Sequence, residues 1–534
     1  METFYSNELN AQMLIFLLKA NGIKKIIISP GATNIAFAGS VQSDSYFELY
    51  SVVDERSAAY MACGMAAESG EPVVLSCTGA TASRNYIPAL TEAFYRKLPV
   101  LAVTSSQDFS RAYNLHPQYV DRSKQLADMV TLSVQVQNIK DATDLEDVNL
   151  KLNRALLQLK RHGGGPVHIN LATAYSRDFS VKELPQFRVI RRYMPYEQLP
   201  EIPQNAKVLI YVGTHAPFSK ELETAIDNFC AAYDAVVLVD HSSGYRGKYS
   251  VLSTIVAAQI GTNYDWLFNG NLLIHIGEQT GDYFTYGKLM NRMEVWRVSE
   301  DGEIRDTFKN LTNVFEMPET QFFNHYAALR PHIFPRTEQL KIFQKEVENL
   351  YKKIPELPFS NVWLAQHTMY QLPENCLITF GLSNSMRSWT FFRLKESIVS
   401  RSNTGTRGID GALSTCIGMS LANKNRIHFA VLGDLAFFYD IGSLGSRHIQ
   451  NNLRILLVNN GCGTEFHMNF HAGAMFGTDV DNTKDYHYVP SSLYEGVSNG
   501  GSATIGVVDQ SSWLNENTLT YGFDINKKHH FDVL

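Results

Sequence analysis

Two short polar dipeptides, each closing an apolar run, constrain this chain more than anything else in it. The run Ile427 to Leu432 ends in Gly433-Asp434-Leu435, and after 23 intervening residues a second run, Ile455 to Val458, ends in Asn459-Asn460. Two parallel strands joined by a helical crossover would bring both endings to one carboxyl edge of a sheet, where open α/β sheets bind ligands. Asp434 and the Asn460 amide oxygen are hard oxygen donors, suited to Mg²⁺ that already bridges phosphates. Either dipeptide alone reads as an ordinary strand-ending turn. Together, at this spacing, they read as a clasp for a metal and a diphosphate.

The rest of the chain is compatible with such an enzyme. Apolar strands alternate with amphipathic segments throughout, which predicts an α/β fold of three doubly wound parallel-sheet domains. The boundaries fall near 1–180, 200–335 and 350–534, with a polar connector from Ser180 to Gln204 that contains Pro185, Pro195, Pro200 and Pro203. A charged helical stretch, Glu338 to Lys353, leads into the third block. At 534 residues, each block can bury its own core. A hydrophobic content of 45% with 19% charged residues belongs to a globular protein, and a net charge of -6 with dispersed basic residues argues against nucleic acid or an anionic membrane as partner. The opening residues lack a secretory pattern and no apolar run reaches a membrane span, so a cytoplasmic location is expected. Six cysteines, at 63, 77, 230, 376, 416 and 462, show no Cys-x-x-Cys spacing and read as free thiols.

Further motifs lie far from the first pair: Ser29-Pro30-Gly31, Asp54-Glu55-Arg56-Ser57-Ala58-Ala59, Cys77-Thr78-Gly79-Ala80 and Gly165-Pro166-Val167-His168-Ile169. With Gly-Asp and Asn-Asn they make a chain that resembles the thiamine-diphosphate-dependent 2-oxo acid decarboxylases and carboligases over about residues 5 to 475. Within that superfamily it looks most like the menaquinone-pathway branch, which adds a decarboxylated 2-oxoglutarate unit to isochorismate. Gly-Asp-Leu in place of Gly-Asp-Gly, and Arg407-Gly408-Ile409-Asp410-Gly411, suggest that branch.

The resemblance implies pyrimidine-binding, central and diphosphate-binding domains, with thiamine diphosphate and Mg²⁺ as cofactors. It implies Glu55 as the carboxyl group that hydrogen-bonds the aminopyrimidine, a role that needs a rigid, water-shielded acid. A carboxylate opening a helix is also favourable by itself, by about 0.3 to 1 kcal/mol. Cofactor contacts are implied for Thr78, Gly79, Ser383, Asn384, Ser385, Gly433, Leu435 and Ala436, with Ile409 as the apolar wedge beneath the rings. The metal would take Asp434, Asn460 and the backbone of Cys462. Gln118 matches a position facing the reacting carbon. Because the first and third blocks carry opposite halves of the site, the family forms it between subunits, so a homodimer or homotetramer is expected.

On the substrate side the chain departs from that branch. The branch has Asn-Arg-Gly where this chain reads Asn403-Thr404-Gly405, and Ser-Pro-Gly-Ser-Arg where it reads Ser29-Pro30-Gly31-Ala32-Thr33. Charge-assisted pairs contribute about 1.5 to 3 kcal/mol each, so losing two arginines argues against isochorismate as acceptor. Arg387 and Arg407 are new; they read either as surface arginines or as receptors for a different anionic group. Glu465 stands where the branch has an apolar residue, and with His467 or His116 it forms a candidate proton relay. The gap of 23 residues is one shorter than in the members of that branch. Ile276-Gly277-Glu278-Gln279-Thr280-Gly281 lacks Gly-x-Gly-x-x-Gly, so no FAD is expected in the middle block. The last residues, Ser491 to Leu534, are rich in Ser, Asn and Gly, with Ala503 to Val508 alone resembling a strand. The function that follows is decarboxylation of a 2-oxo acid and carboligation of the acyl unit to an acceptor, with small molecules as partners. A simple decarboxylase releasing an aldehyde is the alternative, and a non-catalytic relative is the reading from another class.

Overall fold

A computed structural model describes residues 4–259, 264–331 and 334–459, and beyond them the backbone of four strands between 481 and 533. Residues up to 459 make one compact unit and those from 460 a second.

In the first unit three sheets follow one another, and every strand pairing within them is parallel. The first sheet holds β1 (Lys25–Ile28), β2 (Glu48–Ser51), β3 (Val73–Cys77), β4 (Val100–Ser106), β5 (Leu132–Val136) and β6 (Val167–Ala172), in the order β2-β1-β3-β4-β6-β5. The second comprises β7 (Arg191–Tyr193), β8 (Val208–Val212), β9 (Val236–Val239), β10 (Ser250–Leu252), β11 (Leu272–Ile276), β12 (Glu294–Ser299) and β13 (Leu311–Glu316), ordered β10-β9-β8-β11-β12-β13-β7. The third has β14 (Leu377–Phe380), β15 (Val399–Ser402), β16 (His428–Gly433) and β17 (Leu453–Val458), ordered β15-β14-β16-β17. Strands β3, β4, β6, β8, β11 and β14 are buried at every position, because helices cover both faces of a parallel sheet.

The stretch expected to be a connector is not wholly one. Arg191–Tyr193 pairs with β13 at the edge of the second sheet, where the Tyr193 ring stacks on Phe315 with centroids 5.4 Å apart. Three residues of mixed polarity carry no periodicity that would announce a strand. The strand expected at Ala503 to Val508 is present as Ser502–Gln510, but the chain's end holds more strands than that one. It contains two antiparallel hairpins, Asp481–Val489 with Ser502–Gln510 and Tyr521–Ile525 with His529–Val533. Backbone hydrogen bonding between neighbouring strands forms these ladders whatever the polarity of the side chains.

Buried polar contacts join successive sheets of the first unit. Glu316, at the end of β13, accepts from Arg161 at 3.0 Å and lies 2.6 Å from His162. Arg188 pairs with Asp306 at 2.7 Å. Between the second and third sheets, buried His241 has its Nε2 at 3.0 and 3.1 Å from the carbonyls of Trp389 and Phe392, and its own carbonyl accepts from Ser400 Oγ at 2.6 Å. Both ring partners are acceptors, so Nε2 carries the hydrogen. Among the described residues no helix is long and apolar enough to cross a membrane.

Two of the buried imidazoles make stability depend on pH. Burial pulls His168 down to about 3 and His241 to about 4, from 6.5. Between those values and 6.5 the unfolded chain binds more protons, so stability is full above pH 6.5 and falls on acidification by about 1.4 kcal/mol per pH unit per histidine. Asp282, raised by burial from 3.8 to about 6, acts in the opposite sense and offsets one histidine's share. Urea unfolding at pH 7.5 and 5.5 is expected to give a lower midpoint at 5.5, with a smaller difference in His241→Gln. A flat profile in the native protein would contradict this burial.

Candidate functional site

The register of the third sheet pairs Gly433 with Val458, so β16 and β17 end together and Asp434 and Asn459 leave the carboxyl edge side by side. Asp434 is 8% exposed and opens the helix Asp434–Asp440, with its Oδ1 accepting from the Leu435 amide at 2.8 Å. A carboxylate at that end of a helix is favourably placed. Leu435 and Ala436 are half-buried beside it. Asn460, Cys462, Glu465 and His467 lie outside the described residues.

Beside β16, strand β14 runs into Ser383, Asn384 and Ser385 at the start of the helix Asn384–Trp389. Ser383 holds φ at 64°, a conformation that costs a residue with a side chain about 1 to 3 kcal/mol and tends to occur at functional sites. Strand β15 runs into the loop bearing Arg407 and Ile409, where Arg407 has φ 57° and Gly411 has φ 76°. Three neighbouring strands therefore bring Ile409, Ser383–Ser385 and Gly433–Ala436 to one edge.

The first sheet has its own such edge. The ends of β2, β1 and β3, adjacent in the sheet, carry Glu55, Ser29-Pro30-Gly31 and Thr78-Gly79. Ser29 Oγ donates to the Val52 carbonyl at 2.7 Å, tying the first two ends together. Glu55 is the first residue of the helix Glu55–Ser69, whose cap Asp54 accepts from the Ser57 amide at 3.2 Å. Its Oε2 accepts from Asn85 Nδ2 at 3.4 Å. Gly31 lies against Thr78 so closely that a Cβ there would stand 2.0 Å from the threonine methyl. Buried Thr33 accepts from the Gly79 amide at 3.1 Å and donates to the Ser105 carbonyl at 3.2 Å. Gln118, with φ 59°, has its carbonyl 3.3 Å from where a Gly79 Cβ would be, so it shares this edge; His116 is exposed two residues before it.

Several contributors carried no local signal. Asn85 faces Glu55 from a separate turn. Arg122, 3% exposed, lies beneath Gly79 and donates to Asn170 Oδ1 at 2.9 and 3.1 Å and to Ser83 at 3.2 Å. Burial lowers its guanidinium to about 10, and only the neighbouring of β4 and β6 brings Asn170 under it. Tyr283 of the second block faces both new arginines: the guanidinium carbons of Arg387 and Arg407 lie 4.5 and 5.0 Å from its ring centre. Thr404 is 2% exposed, and its hydroxyl meets that of Thr214 at 2.6 Å.

The gathered edges are those of an α/β enzyme, and comparison with known proteins assigns the class. Residues 10–126 match the family described as thiamine pyrophosphate enzyme, N-terminal TPP binding domain. The chain is 30% identical over 508 residues to the 2-succinyl-5-enolpyruvyl-6-hydroxy-3-cyclohexene-1-carboxylate synthase of Bacteroides fragilis, covering 87% of this chain and 85% of that protein. It is 31% identical over 491 residues to the enzyme of the same name from Bacteroides thetaiotaomicron, with 87% and 84% covered. The counterpart from Flavobacterium psychrophilum is 26% identical over 490 residues. This protein is thus a thiamine-diphosphate-dependent enzyme of carboligase or decarboxylase type. It belongs to the thiamine pyrophosphate enzyme family, in which the 2-succinyl-5-enolpyruvyl-6-hydroxy-3-cyclohexene-1-carboxylate synthases are its relatives.

The Gly31–Thr78 contact can be tested by a double-mutant cycle. Gly31→Ala is expected to destabilise the protein by about 1 to 3 kcal/mol through overpacking, and Thr78→Ser, which removes the obstructing methyl, to recover most of that loss in the double variant. Additive losses would show that the two residues do not touch.

Proposed function

We propose that this enzyme uses thiamine diphosphate with Mg²⁺ to decarboxylate a 2-oxo acid and to join the remaining acyl unit to an acceptor. The single observation that carries the reading is the common ending of β16 and β17, which sets buried Asp434 beside Asn459. That donor set fits a Mg²⁺-diphosphate: one carboxylate and amide oxygens serve an ion that takes its other ligands from phosphate and water. Asp434, Asn460 and the Cys462 carbonyl would hold the metal, and Gly433, Leu435, Ala436 and Ser383–Ser385 would hold the diphosphate. Ile409 would support the rings, with Thr78 and Gly79 at the pyrimidine.

When bound, the cofactor supplies a carbon nucleophile and an electron sink for the leaving carboxylate. Glu55 would hydrogen-bond the pyrimidine, its carboxyl fixed by the helix start and by Asn85. Gln118 orients the reacting group, and Glu465 with His116 or His467 would move protons on the acceptor side.

The acceptor differs from the one suited to an arginine at 404 or 33. Thr404 is buried against Thr214, and Thr33 is committed to Gly79 and Ser105, so neither position offers a charge. Assembly through the first block is supported by exposed apolar side chains that flank Glu55 in the chain: Val53 is 82% exposed, with Tyr60 and Met61 also in solvent. Such a patch marks an interface, and a second copy of the chain would dry the Glu55 carboxyl. We place the enzyme in the cytoplasm, acting on small molecules.

Carbon dioxide release from a panel of 2-oxo acids, with thiamine diphosphate and Mg²⁺ present, tests the reaction. Glu55→Gln is expected to lower release by about 10²- to 10⁴-fold while leaving cofactor affinity within a few-fold. Asp434→Ala is expected to abolish Mg²⁺-dependent cofactor binding in calorimetry. Full activity in either variant would overturn the assignment. Light scattering is expected to find a dimer or tetramer that Met61→Glu dissociates with loss of activity; an active native monomer would rule out a shared site.

A further inference from the structure

We propose that Arg122, a buried guanidinium bonded only to neutral groups, is a positioning residue of the first sheet's edge: it anchors the loop that carries Gln118 and sets that loop against Gly79. The inference rests on the reading above, in which Gln118 orients the reacting group, and names the residue that holds Gln118 in place.

The loop depends on an anchor. Between Ser106, the last residue of β4, and Met129, Arg122 alone is buried. Ahead of it Tyr113, Leu115 and Gln118 all hold positive φ, at 63°, 54° and 59°. Each such conformation costs a residue with a side chain about 1 to 3 kcal/mol and persists only where the surroundings impose it. A segment with so few buried contacts opens at low free energy unless its ends are held. Arg84 contributes one bond, to the Asp121 carbonyl at 2.8 Å, from an exposed position.

Arg122 is fixed through both its side chain and its main chain. The guanidinium donates through Nε and Nη2 to Asn170 Oδ1 at 3.1 and 2.9 Å, through Nη1 to Ser83 Oγ at 3.2 Å, and through Nη2 to the Ser105 carbonyl at 3.5 Å. Asn170 Nδ2 donates to Gln135 Oε1 at 2.6 Å, and Gln135 Nε2 donates back to the Arg122 carbonyl at 3.2 Å. Arg122, Asn170 and Gln135 thus close a ring of hydrogen bonds across β5 and β6. The carboxylate next in the chain, Asp121, is exposed and accepts from the Tyr113 hydroxyl and the Ser123 amide instead. A neutral side chain would avoid the cost of desolvating a charge here. What it would lack is the planar fork of donors that reaches Asn170, Ser83 and Ser105 at once.

The anchor governs how Gln118 approaches Gly79. A Cβ on Gly79 would stand 3.0 Å from Arg122 Nη1, 3.3 Å from the Gln118 carbonyl oxygen and 3.3 Å from that of Ser105. Thr33, which accepts from the Gly79 amide, donates to the same Ser105 carbonyl that Arg122 reaches. Gly79, Thr33, Ser105 and Arg122 therefore form one bonded unit, and Gln118 lies against it. Loss of the guanidinium frees the chain four residues from Gln118. A shift of about 1 Å in a positioned group is enough to slow turnover by up to about 10²-fold.

Two measurements test the proposal. Hydrogen exchange of the protein without cofactor reads the anchor itself: in Arg122→Met the amides of residues 107–121 are expected to exchange about tenfold or more faster, with those of β8 and β11 unchanged. Carbon dioxide release by protein saturated with thiamine diphosphate and Mg²⁺ reads the consequence. Arg122→Met is expected to lower kcat about 10- to 100-fold with cofactor affinity within about threefold. In a Gln118→Ala background the same substitution is expected to cost less than about threefold, because a residue that acts through another then has nothing to position. Losses that multiply in the double variant would leave Arg122 a merely structural residue and overturn the proposal, as would unchanged exchange in the loop. Arg122→Lys, which keeps the charge and loses the fork, is expected to fall between native and Met, and it replaces Arg122→Met if that variant does not fold. Failure of the underlying reading is seen separately. Native protein that binds no thiamine diphosphate refutes the cofactor, and exchange alone then decides whether Arg122 holds the loop; turnover indifferent to Gln118→Ala overturns the role of Gln118 and the proposal with it.

Discussion

Parallel pairing is the constraint on which the rest of this molecule depends. When all strands of a sheet run one way, every connection must cross over, and all the strand-to-helix turns collect at a single edge. In the third sheet that edge receives Ser383–Ser385, Ile409 and Asp434, residues up to 51 positions apart in the chain. In the first it receives Gly31, Glu55 and Thr78. Reversing one strand would move its functional turn to the far end of the sheet. Complete burial of the central strands supplies the free energy that keeps them parallel, at about 25 cal/mol for each Å² of apolar surface removed from water.

The second sheet carries neither set of strand-end motifs, yet it packs beside those of the third sheet. The segment Ile276–Gly281 turns at Gly277, where Arg297 is engaged with the Gly277 carbonyl and with Glu278 at 3.0 Å. Gly213 packs on the Glu278 carbonyl so closely that a Cβ there would meet it at 1.8 Å. The loop's interior is thus occupied by its own backbone and a buried guanidinium. Its outer end, Thr280 to Tyr283, serves the third block instead. His241, Thr214 and Gly281 lock that contact, so the arginines and the aromatic ring that faces them are held by independent elements.

Strands formed from uninterrupted Val, Ile and Leu were legible in the sequence: Val208–Val212, Leu272–Ile276 and the pair ending at Asp434 and Asn459 fall within a residue or two of their expected places. Burial on both faces leaves no alternative to an apolar run. Arg191–Tyr193 and three of the four terminal strands were not legible, because backbone ladder bonds hold them without a matching side-chain pattern, whereas Ser502–Gln510 covers the strand expected at Ala503 to Val508. For the site, residues at strand ends could be read from local motifs. Their supporting contacts could not: Asn85 meets Glu55 across 30 positions and Thr214 meets Thr404 across 190, distances at which sequence spacing carries no geometry. The absence of an arginine at 404 was visible; that the threonine is buried against a partner was not.

That burial bears on how specificity moves within such a framework. A charged side chain at position 404 would have to be desolvated against Thr214, at a cost that only a bound anion could repay. In this chain the position is neutral and closed, and positive charge stands instead at 387 and 407, on the same two strand-end segments. The turns on those segments need not move when the charge does, since Arg387 lies in a short helix and Arg407 in a loop before Ile409. One edge of one sheet can thereby hold the same strand-end turns while the charge beside them stands on one segment or another.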